Sequence, residues 1–232
     1  MKDSEVEFDR ACHVLYSKEC KRIILEKIAE HYPDETEKVF EAVQKQYSDY
    51  LKNYRTDLGG KKNFHNGIAG TYDCIALFSY YKVCKDRTSF KEIEAMNNAL
   101  FLPAFSKLRF VDCNKPIYQK LLHTAFVSAM KKCRKWNDYK MDVLPYEKDK
   151  PIRYVFTACP VAEFAKENDL LDVLPALCNA DYAAMELIHA KLIRKTTCGN
   201  GDVCDFAICG DKDKYAALHE EYIGSEGYRR NR

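Results

Sequence analysis

Apolar positions recur at helical spacing along the first 58 residues. Val14, Leu15, Ile24, Leu25 and Ile28 fall on one pattern and Pro33 breaks it. Thr36 is placed to cap a second helix carrying Val39, Phe40, Val43, Tyr47, Tyr50, Leu51 and Tyr54, which Gly59 and Gly60 end. A loop over residues 61–70, with His65, Asn66, Gly67 and Gly70, leads into an aromatic-rich helix bearing Ile75, Leu77, Phe78, Tyr80 and Tyr81. Ser89 and Glu92 have capping-box spacing, which predicts a helix running to about Lys107. Pro116 suits the first turn of another helix, through Leu121, Leu122, Ala125, Phe126 and Met130 to about Lys135, with His123 read as a satisfied core histidine.

The period changes from Tyr139 onward. Residues 139–146 and 152–158 read as strands joined by the charged connection Glu147-Lys148-Asp149-Lys150, and Val203 to Cys209 forms a third apolar run. Between them, Val161 to Glu167 is one helical segment, and Asn179 or Asp181 can start another bearing Met185, Ile188 and Leu192. The expected fold class is α+β: a helical N-terminal region packed on a small antiparallel sheet with inserted helices in the C-terminal part. With no Gly-, Ser- or Pro-rich linker, residues 1–232 read as a single domain: 1–136 mainly helical, 137–212 the sheet with two inserted helices, 213–232 a helical or frayed tail.

A hydrophobic content of 47% over 232 residues can supply a sizeable core. Charges nearly balance, 37 basic against 35 acidic residues, so no extended positive field is present and nucleic acid is not an expected partner. Arg229, Arg230 and Arg232 form a basic cluster at an end expected to fray. No apolar segment approaches the roughly 20 residues that cross a bilayer, so no membrane association is expected. Eleven cysteines, an odd number without a compact framework, after an acidic N-terminus MKDSEVEFDR, imply free thiols and a cytoplasmic location. Sixteen tyrosines leave room for homo-oligomer contacts.

Five of the cysteines lie between Cys159 and Cys209, where chemistry is sought first. Cys159 ends a strand and precedes Pro160 at a helix start, so its sulfur faces unpaired N–H groups and ionises more easily; the alternative is a buried corner thiol. Glu163, one turn further, lies on the same side, as a general base, a holder of a cationic group or an exposed helix residue. In TTCGNGDVCDF a two-residue Asn200-Gly201 turn sets Cys198 opposite Val203, Thr196 opposite Asp205 and Arg194 opposite Ala207. That makes Arg194, Thr196 and Asp205 a polar strip, either lining a pocket or facing solvent. Ile193, Lys195, Thr197, Cys204, Phe206 and Ile208 then form the core face. In this register Cys204 points away from Cys198 and Cys209, which weighs against a metal cage unless a bulge shifts the pairing. Asp181 reads most simply as a capping acid, and His65 and Asn66 either point into a ligand pocket or cap their loop.

The run CPVAEFAKENDLLDVLPALCNADYAAMELIHAKLIRKTTCGNGDVCDF resembles the C-terminal signature of the L-2-amino-thiazoline-4-carboxylic acid hydrolase family. Its elements are a Cys before an apolar helix, Leu-Cys-x-x-Asp, a second helix, a Thr-bearing strand and Gly-x-x-Cys-Asp-Phe. The resemblance implies hydrolytic opening of a cyclic amidine ring to an N-carbamoyl amino acid, with a small-molecule substrate and no cofactor. That chemistry asks for a nucleophile or base, an anion for the amidinium and a cation for the substrate carboxylate. The residues assigned to those tasks are Cys159 as nucleophile or proton shuttle, Glu163 as base, Asp205 or Asp181 on the amidinium, and Arg194 on the carboxylate. Thr196, His65 and Asn66 complete the expected substrate contacts. The rival reading is a binding or sensing module with a cysteine-lined pocket that holds a small molecule without transforming it.

Overall fold

A computed structural model describes residues 16–53, 70–136 and 139–232 of the chain. It is 55% helical with a four-stranded antiparallel sheet, an α+β fold as the changing hydrophobic period predicts. The chain divides into two compact units, Met1–Leu100 and Phe101–Arg232.

In the first unit, α1 spans Lys18–His31, and the Ser17 hydroxyl caps it by accepting the Cys20 N–H at 3.0 Å. Its stripe of Cys20, Ile23, Ile24 and Ile28 is buried; the part of the helical pattern before residue 16 lies outside the described residues. After a 3₁₀ turn, Pro33–Glu35, α2 runs over Thr36–Asn53. Thr36 does not cap it from outside as expected. It already has helical dihedrals, and its hydroxyl donates back to the Tyr32 carbonyl at 3.1 Å. α3, Gly70–Val83, is apolar on every side, and Tyr72, Ile75, Leu77, Phe78 and Tyr80 are all buried, as a fully enclosed helix requires.

α4, Phe90–Ser106, starts in the first unit and ends in the second. Ser89 accepts the Glu92 N–H at 3.2 Å, which is half of the expected capping box. The returning half is not made, because the Glu92 carboxylate takes bonds from His31 Nε2 and Tyr80 OH, each 2.7 Å.

In the second unit, α5, Pro116–Trp136, lies against the sheet, with Phe126 4.5 Å from the Tyr154 ring. His123 is satisfied by the Leu144 carbonyl at 2.9 Å, but at the surface rather than in the core. The strands are β1 Lys140–Val143, β2 Ile152–Ala158, β3 Ala190–Ile193 and β4 Cys204–Gly210, in the order β1-β2-β4-β3. β1 stops at Val143, three residues before the sequence pattern ends. Partners directly opposite in an antiparallel pair share a face. Ile152 with Ile208, Tyr154 with Phe206 and Phe156 with Cys204 therefore line one face, where Tyr154 and Phe206 stack at 4.5 Å. Ile193, Ala207 and Cys209 line the other, covered by Ala216 and Tyr215.

Between β2 and β3 lie α6 Pro160–Glu167, α7 Leu174–Cys178 and α8 Ala180–Glu186. The helix expected to carry Leu192 ends at Glu186. His189, at a left-handed φ of 52°, turns the chain, so Leu192 belongs to β3. After α9, Lys214–Ala217, the tail is not frayed: β5 Glu221–Ile223 and β6 Arg229–Asn231 form a hairpin. The tail arginines are tied by ion pairs, Arg229 to Glu186 and Glu221 at 2.7 and 2.8 Å, Arg230 to Glu226, and Arg232 to Glu220 at 2.6 Å. Asn179 clamps this hairpin by donating to the Gly227 carbonyl and accepting the Arg229 N–H, at 3.0 and 2.9 Å.

The hairpin also continues the sheet past the end of β3. The Asn231 N–H donates to the Arg194 carbonyl at 2.9 Å, and its side-chain oxygen accepts from the Arg194 N–H at 3.0 Å and Tyr182 OH at 2.9 Å. Asn231→Ala removes the acceptor, leaves the buried Arg194 N–H unpaired and leaves Tyr182 OH only the Arg194 carbonyl at 3.5 Å, which should lower unfolding stability by about 1–3 kcal/mol. Urea denaturation measures it, with an unchanged midpoint as the contrary result.

Candidate functional site

The hairpin motif folds differently from its simplest reading, and the difference creates the site. A type I′ turn at Asn200-Gly201 requires positive φ at both residues, and neither has it. The turn instead runs from Thr197 to Asn200, closed by the Asn200 N–H donating to the Thr197 carbonyl at 3.1 Å. Asn200 Oδ1 fastens it by accepting the Thr197 N–H and hydroxyl, both at 2.9 Å.

Thr196 does meet Asp205, as expected: the carboxylate accepts its N–H at 2.7 Å and its hydroxyl at 3.2 Å. In β3, however, Ile193 and not Arg194 stands opposite Ala207. Two residues, Arg194 and Lys195, therefore occupy the space facing Phe206 alone. This is a bulge, held by Asp205 Oδ1 accepting the Lys195 N–H as well, at 3.0 Å. One extra residue flips every later side chain to the other face. Arg194 is thereby carried to the Phe206 face, and the expected polar strip of Arg194, Thr196 and Asp205 is split. Asp205 and Thr196 brace the bulge while Arg194 enters the core.

Only 1% of the Arg194 side chain is exposed. Its guanidinium donates to Asp181 Oδ2 at 3.0 Å and to the Cys178 carbonyl at 3.2 Å, and lies over the Tyr182 and Phe206 rings at 5.1 and 5.4 Å. Its Nε has no partner. Asp181 is thus not a helix cap. It sits in the first turn of α8, keeps 38% of its side chain exposed, and has one oxygen committed to Arg194. Burial raises its carboxyl, and the Arg194 charge pulls it back.

Around this pair stand four thiols. Cys159 is the residue before α6, as the sequence predicts, with Pro160 in the first turn. The expected easing of its ionisation does not win. Burial pushes the thiol up to about 12, although the Ala162 and Val161 N–H groups at the helix start pull it down. Burial holds Cys178 above its ordinary value too. The expected divergence of Cys198 and Cys204 is overturned: the Cys198 N–H donates to Cys204 Sγ at 3.1 Å, and Cys198 Sγ donates to the Phe156 carbonyl at 3.4 Å. The contact with Cys204 draws the Cys198 thiol below its ordinary value, helped by Lys166 and opposed by burial and by Glu163. Cys204 moves up as the member that keeps its proton.

Cys159 therefore shares its surroundings with Asp181 and Cys198, and the charge of Glu163 is felt at Cys198, whereas Asp205 faces the other side of the sheet. His65 and Asn66 lie outside the described residues. Among the described residues no group of three or more His, Cys, Asp or Glu side chains converges as a metal ion would need. Nor is any helix among them long and apolar enough to cross a membrane. The Cys198–Cys204 contact was hidden from spacing arguments because it depends on the bulge. Asn231 was hidden because the tail gave no strand signal.

These features define an α+β protein with a buried cation–carboxylate pair ringed by thiols. Residues 73–208, more than half of the chain, match the family model of L-2-amino-thiazoline-4-carboxylic acid hydrolase. The chain belongs to that family, whose name gives it a hydrolase-type role. No curated protein and no solved structure matches it.

Arg194→Met strands the Asp181 carboxylate beside an apolar core. At pH 7 the expected loss is about 1–3 kcal/mol, below that of a fully enclosed pair because Asp181 reaches solvent. Removing the cation raises the carboxyl further, so the loss should shrink as pH falls and Asp181 takes up a proton. Urea denaturation of both proteins at pH 7 and pH 4 tests the sign.

Proposed function

We propose that the protein hydrolyses a cyclic amidine of the thiazoline type, adding water at the carbon between the ring nitrogen, the sulfur and the exocyclic amine. The carbon–sulfur bond breaks and an N-carbamoyl amino acid bearing a free thiol leaves. The observation that carries this reading is Asp181, 38% exposed with one oxygen fixed by a buried Arg194. A carboxylate so oriented suits a planar cation such as an amidinium, which presents two N–H donors side by side.

In this reading Arg194 orients Asp181 and is too deeply enclosed to take the substrate carboxylate itself. Glu163, one turn along α6 from Cys159, takes a proton from the attacking water and returns it to the departing sulfur. Cys159 remains a neutral thiol near neutral pH and donates a hydrogen bond to that sulfur. Asp205 and Thr196 act at one remove, by holding the bulge that aims Arg194.

The alternative of a module that binds without turnover draws support from the raised Cys159 and Cys178 thiols, which are poor nucleophiles. Incubation with 2-amino-thiazoline-4-carboxylate, following release of a new thiol, separates the two. Asp181→Asn should lower kcat/KM by roughly 100-fold with the fold retained, the loss typical of one oriented charge. Binding of the substrate without any thiol release would end the hydrolase reading.

A further inference from the structure

Asp181 is carried by a helix too short to hold its own direction. α8 has seven residues, against the roughly 12–15 at which an isolated helix begins to be stable. Its orientation therefore comes from its neighbours, and the tail hairpin β5–β6 meets it at its start, middle and end. At the start, Asn179 donates to the Gly227 carbonyl at 3.0 Å and accepts the Arg229 N–H at 2.9 Å. In the middle, Tyr182 OH donates to Asn231 Oδ1 at 2.9 Å, and the Arg229 guanidinium lies over the Tyr182 ring at 4.7 Å. At the end, Arg229 pairs with Glu186 at 2.7 Å.

Asn179 shows what this attachment displaces. An asparagine just before a helix commonly caps it by accepting a first-turn N–H. Asn179 makes no such bond; its side chain is buried and turned to the hairpin instead. Gly227, at a left-handed φ of 88°, lets the hairpin turn bring its carbonyl to that side chain. The same hairpin holds the other member of the ion pair, since Asn231 bonds both the N–H and the carbonyl of Arg194, at 3.0 and 2.9 Å. Asp181 and Arg194 belong to separate elements, and residues 227–231 bridge the two. The hairpin lies beyond residues 73–208, so the family match gives it no role.

We propose that Asn179 and Asn231 are positioning residues, through which the β5–β6 hairpin sets the direction in which Asp181 presents its carboxylate to the substrate. This rests on the ring-opening reading above, in which that carboxylate holds the amidinium in line for attack by water. Neither asparagine touches the substrate. A slackened hairpin leaves the charge of Asp181 in place, so the cation is still attracted, but the reacting carbon is no longer held in line. Misplacement of that kind falls on kcat more than on KM.

Hydrogen–deuterium exchange of the full chain, read by mass spectrometry, tests the mechanical link without any substrate. Asn179→Ala and Asn231→Ala should each speed exchange over residues 180–186 by about 5- to 10-fold, the loss of one or two hydrogen bonds, with strand β2 unchanged. Glu220→Ala removes an exposed ion pair of the same hairpin that does not reach α8, and should leave exchange there as in the wild type. Unchanged exchange over 180–186 in both asparagine variants, or an equal rise in β2, would overturn the link.

Turnover of 2-amino-thiazoline-4-carboxylate then separates this inference from the reading beneath it. Each asparagine variant, with unchanged far-UV circular dichroism, should lose roughly 10-fold or more in kcat while KM moves by less than about 3-fold. In an Asp181→Asn background, Asn231→Ala should cost less than about 2-fold further, because it acts through a carboxylate already removed. If the wild type opens the ring and both asparagine variants do so equally well, or if the full cost of Asn231→Ala persists without the Asp181 carboxylate, the positioning role falls and the hydrolase reading stands. If the wild type opens no ring while exchange in α8 follows the two asparagines, the hairpin's hold on Asp181 stands and the ring-opening reading falls.

Discussion

A guanidinium almost wholly withdrawn from water is tolerated only where its charge and donors are met, and the second unit is built to meet those of Arg194. Asp181 neutralises it, the Cys178 carbonyl takes a second donor, and the Tyr182 and Phe206 rings offer their faces. The Arg194 backbone is held as firmly, since Asn231 pairs with both its N–H and its carbonyl. Three separate pieces of chain, the α7–α8 corner, the bulge after β3 and the tail hairpin, are thus tied to one residue. A buried ion pair of this kind contributes little net stability against apolar replacements. Its value here is that it leaves one acid in a fixed orientation at the edge of the protein.

The thiols show which of two opposing effects wins at each position. At Cys159 the N–H groups of α6 favour the thiolate, and desolvation outweighs them. At Cys198 the contact with Cys204, whose sulfur accepts the Cys198 N–H, outweighs burial. The difference is one of distance and enclosure: a group in contact acts at full strength, while a short helix with its first turn buried offers a modest field against a large solvation cost. Position at a helix start therefore does not by itself make a cysteine easier to ionise.

Much of this architecture was legible along the chain. Helices α3, α4 and α5, strand β2 and the Cys159 corner lie where hydrophobic period and proline position put them, because each depends on neighbours a few residues away. The sequence signature from Cys159 to Phe206 also carried the family resemblance that residues 73–208 bear out. The thirteen residues from Ile193 to Asp205 were less legible, though they hold most of the candidate chemistry. Parity counting outward from Asn200-Gly201 assumes that the turn has two residues and the strand has no insertion, and neither holds.

The pattern of apolar positions determined on its own the class of fold, the order of helices and strands and the place of the Cys159 corner, since these follow from local burial and backbone preference. Tertiary structure alone decided that Arg194 turns inward, that Asp181 rather than Asp205 faces the thiols, and that Cys198 meets Cys204. Each of those outcomes depends on a one-residue slip beside β3, stabilised by a carboxylate across the hairpin and by a tail 37 residues further on, and contacts between distant segments leave no period in the sequence.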